Sequence, residues 1–348
     1  MTMRKLNRTY RLVALGSISA KVHPVRLALL LALMAGLFLL VVWALASGSG
    51  KAGFSEFLAF ATGSATRGSL SVVGDLRLPR TVMALCCGGM LGLSGAALQS
   101  LTRNGLADPG LLGVREGAAL TIVTVIIIFP QTPLVFRPFV GIAGGLTVAF
   151  AVAMIAGSFS RLRFVLIGIG FSWFLSAAIA LLLTISDIDR IQIALTWMAG
   201  SLATVTPDMV PLAVTGLLIG AVLLFSSARA ADVAALGDHF SVGLGVRRNL
   251  LNVIWLVGPI VMTATAVSCV GSIGFVGLIA PHTARLAIGG GQRSVLAGSM
   301  LIGAGLVVMA DTLGRTLFAP LQIPAGIVIA LVGVPVLLAL LWRRRDQL

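Results

Sequence analysis

Charge is what this chain lacks most. Only 10% of its 348 residues are charged, whereas a soluble domain carries about 25%. So few charges cannot cover the surface of a water-soluble protein of this length, so lipid must solvate much of it. Acids are scarcest, at 11 Asp plus Glu. Glu56, Asp75, Asp187, Asp189, Asp208, Asp232, Asp238 and Asp346 fall in loops or at the ends of apolar runs. Asp311 is the one acid read as lying well inside an apolar run, four residues before Arg315, where the two can pair on one helix face. Ion-coupled carriers place acids in mid-membrane, and their scarcity counts against that class. The three cysteines, Cys86, Cys87 and Cys269, sit inside apolar segments and read as small buried hydrophobes, not a disulfide framework. His23, His239 and His282 are far apart, so no metal-ligand spacing exists. Of the lysines only Lys51 has glycine neighbours, in Ser47-Gly48-Ser49-Gly50-Lys51-Ala52. That stretch fails the phosphate-loop pattern, with Leu45 at the first glycine position and Ala52 where Ser or Thr would hold magnesium. No nucleophile–base pair or carboxylate pair is present, so no enzyme activity and no cofactor are expected in this chain.

What the chain has is apolar length. Continuous runs such as Val25 to Ala46 match membrane helices, not the alternating strands of a barrel. Spans are expected near 25–47, 80–101, 110–130, 138–157, 163–185, 209–227, 249–270, 272–288, 295–314 and 323–342. Only Gly271 and Gly274 separate the seventh from the eighth. The segment 190–202 is apolar but short, suiting a broken or re-entrant piece. The fold class is therefore all-α and polytopic, one transmembrane domain over 1–348 with about ten helices. The N-terminal run follows Arg4, Lys5, Arg8, Arg11, Lys21 and Arg26 and ends in Ala44-Leu45-Ala46, like a signal peptide. At about 20 residues it is too long for a signal core and is read as a first spanning helix.

The net charge is +14. In a membrane protein its placement among the loops matters more than its size, so nucleic acid is not an expected partner. With the N-terminus in the cytoplasm, 18 of the 25 basic residues fall on the cytoplasmic side, the expected bias. An odd number of spans would put Arg343, Arg344 and Arg345 outside and weaken it. Gly88, Gly89, Gly92 and Gly95 in one run, and Gly141, Gly144 and Gly145 in another, suit closely packed membrane helices.

Four segments carry more than packing. Arg77-Leu78-Pro79-Arg80-Thr81 starts the second span, with Pro79 favourable at a helix start. Its arginines, placed on the outer surface, can anchor the helix at the interface or meet acidic groups on a partner. The second segment, Gln99 to Val114, holds Arg103-Asn104-Gly105-Leu106-Ala107-Asp108-Pro109-Gly110. Asp108 and Pro109 read as helix cap and first helical position, in a cytoplasmic turn that is either a plain connection or the closure of a pore mouth. In the third, 232–248, Leu236, Phe240 and Leu244 recur every four positions in a moderately polar loop. Short helices with one apolar face fit that spacing, and a cytoplasmic partner would cover the face. The fourth runs Gly271-Ser272-Ile273-Gly274-Phe275-Val276-Gly277-Leu278-Ile279-Ala280-Pro281-His282-Thr283-Ala284-Arg285, followed later by Asp311, Arg315, Leu321-Gln322-Ile323-Pro324-Ala325-Gly326 and Gly333-Val334-Pro335. His282 alone would more often be a structural histidine.

In this order and spacing the segments resemble the iron–siderophore and cobalamin permease family of ABC importers, from about residue 75 to the C-terminus. The resemblance implies ten spans per subunit in the vitamin B12/siderophore permease architecture, in the inner membrane of a bacterium with both termini cytoplasmic. It implies a second permease copy or a paralogue, two ATPase subunits that hold ATP and magnesium, and a soluble periplasmic or lipid-anchored binding protein. The matching positions are Arg77, Arg80 and Arg315 for docking of the binding protein. For coupling to the ATPase they are Ala234, Leu236, Gly237, Phe240, Gly243, Leu244, Gly245 and Arg247. For the cytoplasmic gate they are Asn104, Leu106 and, from a weaker match, Ser160. Asp108, Pro109, Pro281, His282, Arg285, Asp311 and Pro324 belong to the motifs themselves. Gly105 stands where the family usually has proline, which frees the local backbone. The expected cargo is a ferric siderophore, moved by alternating access. Val165 to Gly170 and Leu195 to Leu202 look closer to ferric catecholate permeases, with cobalamin or haem as alternatives. Readings of another class are an ion-coupled secondary transporter and a non-transporting scaffold or sensor.

Overall fold

The computed structural model describes residues 2–5, 11–15, 18–47, 54–64, 71–156 and 161–343. A small antiparallel sheet opens the chain, with β1 (Thr2–Lys5), β2 (Arg11–Leu15) and β3 (Ile18–Val22) in that spatial order. Its basic segment carried no expectation of strands. The regular elements described after it are all helical.

Helix α1 (Pro24–Ala46) starts at a proline, which loses no hydrogen bond at the first helical position. It is apolar on every side, yet only Ala44 and Leu45 are buried, the signature of a helix solvated by lipid. A short α2 (Phe54–Ala61), absent from the sequence expectations, and a π-type turn at Ser71–Arg77 lead into α3 (Leu78–Thr102). Then come α4 (Val114–Ile128), α5 (Arg137–Ala156), α6 (Arg161–Thr184) and α7 (Ile188–Met198). The rest is α8 (Val210–Ala234), α9 (Asp238–Gly243), α10 (Arg248–Val270), α11 (Val276–Ala287), α12 (Gln292–Thr316) and α13 (Ala325–Arg343).

The core is built on α3, which packs on α12, α10, α11 and α8. Its glycines are why neighbours come so close. A Cβ on Gly88 would strike the Gly303 carbonyl of α12, and one on Gly92 would strike the Ser299 carbonyl. Backbone therefore meets backbone, which maximises dispersion contact where lipid leaves no hydrophobic force between helices.

Among the described residues seven helices are long and apolar enough to cross a membrane: α1, α3 with its preceding turn, α5, α6, α8, α10 and α12. At 15 residues α4 rises only about 22 Å, against a hydrocarbon core of about 30 Å. The 12-residue α11 is shorter still, because the chain runs as irregular backbone from Gly271 to Phe275 before it starts. Irregular backbone at membrane depth must be enclosed by protein, and Gly271 and Ile273 are buried. Gly271 has φ +78°, and a Cβ there would strike the Trp197 carbonyl at the end of α7. Pro281 interrupts α11 and cannot donate to the Gly277 carbonyl four residues back. Gln99 of α3 does so instead, its Nε2 donating to Gly277 O at 3.3 Å.

Candidate functional sites: an outer arginine cluster, an inner turn and an apolar loop

At the end of the bundle where α1 finishes, three arginines converge. Arg77 and Arg315 are each 8% exposed, so the expectation that they lie on the surface is corrected. Both serve the C-terminal end of α1. Arg77 Nη1 donates to Leu45 O at 2.9 Å, and Arg315 donates to Ala44 O and Ser47 O. The last carbonyls of a helix lack intrahelical donors and carry its negative dipole end, so two buried guanidinium groups fit there. Arg80 binds Asp311 through Nε, at 3.0 and 2.9 Å from the two carboxylate oxygens, and through Nη2 at 2.8 Å. Its Nη1 donates to Gln322 Oε1 at 2.9 Å. Asp311 lies 3.9 Å from Arg315 Nε. The expected pair on one helix face is thus the longer contact, and the main partner comes from α3. Four-residue spacing exposed the near partner and could not show the far one.

At the opposite end of α3 the chain turns sharply. Arg103 caps the helix in the left-handed region, φ 52°. Asn104 Oδ1 accepts from Leu106 N at 2.9 Å, a local turn that asparagine favours. Leu106 is 45% exposed. Ser160 lies outside the described residues. Asp108 caps the 3-10 turn Pro109–Leu112, Oδ1 accepting from Gly110 N at 2.7 Å. Burial pushes the Asp108 carboxyl above the usual carboxylate range, while Arg115 and the Gly110 N–H pull it back only in part. Pro281 is buried inside α11, His282 and Arg285 face the end of α3, and Pro324 immediately precedes α13.

The apolar loop stands beside this turn. Arg103 Nη2 donates to Ala234 O at 3.2 Å, which ties the cap of α3 to the last residue of α8. Beyond it Leu236, Phe240 and Leu244 are 65%, 71% and 66% exposed around α9. Gly237 (φ +115°) and Gly245 (φ +77°) bracket the helix with backbone that other residues rarely adopt. Arg247 is exposed just before α10.

Sequence reasoning passed over Glu116. It lies in the first turn of α4 with its side chain 13% exposed, accepting from Arg115 Nε at 3.1 Å and from Ser172 Oγ of α6 at 3.2 Å. With Trp173 and Ser176 these residues border a cavity of about 510 Å³. An acid beside a base at the start of an apolar run was the available signal. Among the described residues no cluster of His, Cys, Asp or Glu could hold a metal ion.

Residues 36–343 match the model of the FecCD transport family. The chain belongs to that family. It is a helical membrane permease of the ABC transporter type. Among FecCD relatives, the hemin transport system permease protein HmuU of Yersinia pestis is 35% identical over 327 residues, 90% of this chain and 97% of that protein. The iron-uptake system permease protein FeuC of Bacillus subtilis is 36% identical over 281 residues, 78% and 84% of the two chains. The Fe(3+) dicitrate transport system permease protein FecD of Escherichia coli is 34% identical over 276 residues, 79% and 86%. A solved metal-chelate type ABC transporter, in an inward-facing conformation, superposes with a TM-score of 0.80 at 29% identity, over 91% of this chain and 99% of that one.

Proposed function

We propose that this FecCD permease imports a ferric siderophore across the inner membrane of a bacterium, driven by ATP that separate subunits hydrolyse. The single observation that carries the reading is the apolar face of Leu236, Phe240 and Leu244. It is exposed in a loop and covered by nothing among the described residues of the chain. Large apolar side chains held out on a structured turn mark a docking surface, and the family's ATPase would cover it.

The mechanism follows from what the loop is attached to. The loop leaves α8 at Ala234, and Arg103 holds Ala234 O from the cap of α3. A force on α9 therefore reaches the Asn104–Leu106 turn through one hydrogen bond and two helices. In this reading ATP binding closes the ATPase pair, the loop moves with it, and the turn opens or closes the inner end of the path as helices tilt as near-rigid bodies. Ten crossings, with both termini cytoplasmic, place the loop and the turn on the same inner side. The second permease copy or paralogue supplies the other wall.

At the outer rim we place docking of the binding protein on Arg80. Its side chain is 17% exposed and paired with Asp311, and Arg77 and Arg315 stand behind it. An acidic group on the partner would compete for a guanidinium already in place. Relatives' names span siderophore, dicitrate and hemin transport, and of these we propose a ferric siderophore as the cargo.

Replacing Leu236 and Leu244 together with Asp tests the reading. The loop folds on its glycines, so the variant is expected to remain in the membrane while ATP hydrolysis proceeds without uptake, or the ATPase no longer co-purifies. Normal coupling in the double variant would remove this loop from the ATPase interface.

A further inference from the structure

Where α3 ends against α11 and the start of α12 lies an open cavity of about 520 Å³. Gln99, Ser100 and Arg103 reach it from α3 and its cap, His282 and Arg285 from α11, and Gln292 from α12. Three of these six side chains can carry positive charge and none is a carboxylate. Arg285 is held only through Nη2, by three contacts of 3.4 Å to Ala96 O, Gln99 Oε1 and Ser100 Oγ. Its Nε and Nη1 have no acceptor among the described residues. Asp232, the acid nearest the cavity, stands behind Gln292 rather than in the lining, its Oδ1 accepting from Gln292 N at 2.7 Å. Arg26 of α1 lies against Gly290 in the turn between α11 and α12, so a further cation borders the same end of the bundle. Leu286 is 68% exposed at the cavity's edge, which gives the site an apolar margin.

We propose that this cavity binds a phosphate group, gripped by the spare donors of Arg285, with Gln292 Nε2 as a neutral donor and Arg103 adding positive charge at the rim. A guanidinium fork matches two phosphate oxygens at once. The group can come from an anionic phospholipid headgroup or from soluble phosphate. Basic pockets between membrane helices on the cytoplasmic side recruit anionic headgroups from a negatively charged leaflet. That preference rests on the orientation given under Proposed function; the site's chemistry does not. Because Arg103 also holds Ala234 O, an occupant would sit at the joint between the inner turn and the apolar loop and bear on both.

The test uses the full chain with whatever subunits accompany it, in nanodiscs of phosphatidylcholine containing phosphatidylglycerol. Lipids retained after a delipidating wash are counted by native mass spectrometry, and inorganic phosphate is titrated separately against thermal unfolding. Phosphatidylglycerol is expected to be retained over phosphatidylcholine, and Arg285→Gln to weaken its retention about fivefold, as loss of one cation near a membrane surface should. Gln292→Glu, which adds a negative charge without disturbing α11, is expected to weaken it as well, and it decides the matter alone if Arg285→Gln does not fold. Stabilisation of the wild type by millimolar phosphate, absent in the variant, identifies the soluble source. Equal retention of the two lipids with no response to phosphate, or retention unchanged in both variants, overturns the proposal. Neither readout involves transport, so failure here is distinct from failure of the importer reading.

Discussion

Removing the charge of Asp311 should cost more than removing that of Arg80, although the two are paired. Asp311 is 4% exposed and its carboxylate faces two arginines, Arg80 at 2.8 Å and Arg315 at 3.9 Å, with buried Arg77 at the same helix end. Asp311→Asn takes from Arg80 and Arg315 the carboxylate they share, and stripping one partner from a buried pair costs about 3–5 kcal/mol. Arg80→Gln leaves Asp311 with Arg315 beside it and loses charge-assisted hydrogen bonds worth about 1.5–3 kcal/mol. The double variant should cost less than the two singles summed, by about 1–3 kcal/mol of coupling. Thermal inactivation of the purified permease in one detergent gives the ordering, wild type most stable, then Arg80→Gln, then Asp311→Asn. The folded Arg80→Gln protein also serves the docking proposal, with weaker affinity for the binding protein expected. Equal losses in the two single variants, or simple additivity in the double, would refute this account of the cluster.

Three further outcomes follow from the packing. Gly92→Ala forces a methyl group into the Ser299 carbonyl and should destabilise by about 1–3 kcal/mol or more; Gly105→Ala, with nothing within 4 Å of the added carbon, should be silent in the same melting assay. Gln99→Leu strands the Gly277 carbonyl at about 1–3 kcal/mol, and Pro281→Ala, which restores a main-chain donor for that carbonyl, should recover stability in the Gln99→Leu background; no recovery would show that Gln99 acts otherwise. Asp108→Asn keeps the acceptor for Gly110 N and should cost less than Asp108→Ala, which loses a cap worth about 1 kcal/mol. Because burial raises the Asp108 carboxyl's pKa, the cost of its charge is present above the folded-state value and is relieved as pH falls through it. The wild type should therefore gain on Asp108→Asn as the medium is acidified, and a pH-independent difference would contradict that.

Legibility in the sequence tracks the range of the interaction. A run such as Leu27 to Ala46 announces a membrane helix because every residue reports the same solvent, and the exposed apolar loop announces itself by a four-residue spacing out of place among polar neighbours. The arginine cluster was half legible. Arg77, Arg80 and Arg315 stood out as charges in an apolar chain, but nothing local could say that the end of α1 comes to meet two of them, since the contacts span 32 and 268 to 271 residues of sequence. They were read as surface residues for that reason. Pro281 looked like a motif residue, and only the fold shows Gln99, 178 residues from Gly277, making the bond that proline cannot. Glu116 was overlooked because attention went to acids deep within runs, while its partners Arg115 and Ser172 lie on two different helices.

The most direct test of the central claim is uptake by the purified complex. The tagged permease is isolated gently from its native membrane, its companions are identified by mass spectrometry, and the complex is sealed into proteoliposomes with its binding protein and a radiolabelled ferric siderophore. The account predicts an ATPase subunit in equal amount to total permease, and iron uptake that requires ATP and is indifferent to proton and sodium gradients. A chain that comes out alone, or uptake that follows an ion gradient and ignores ATP, would contradict it.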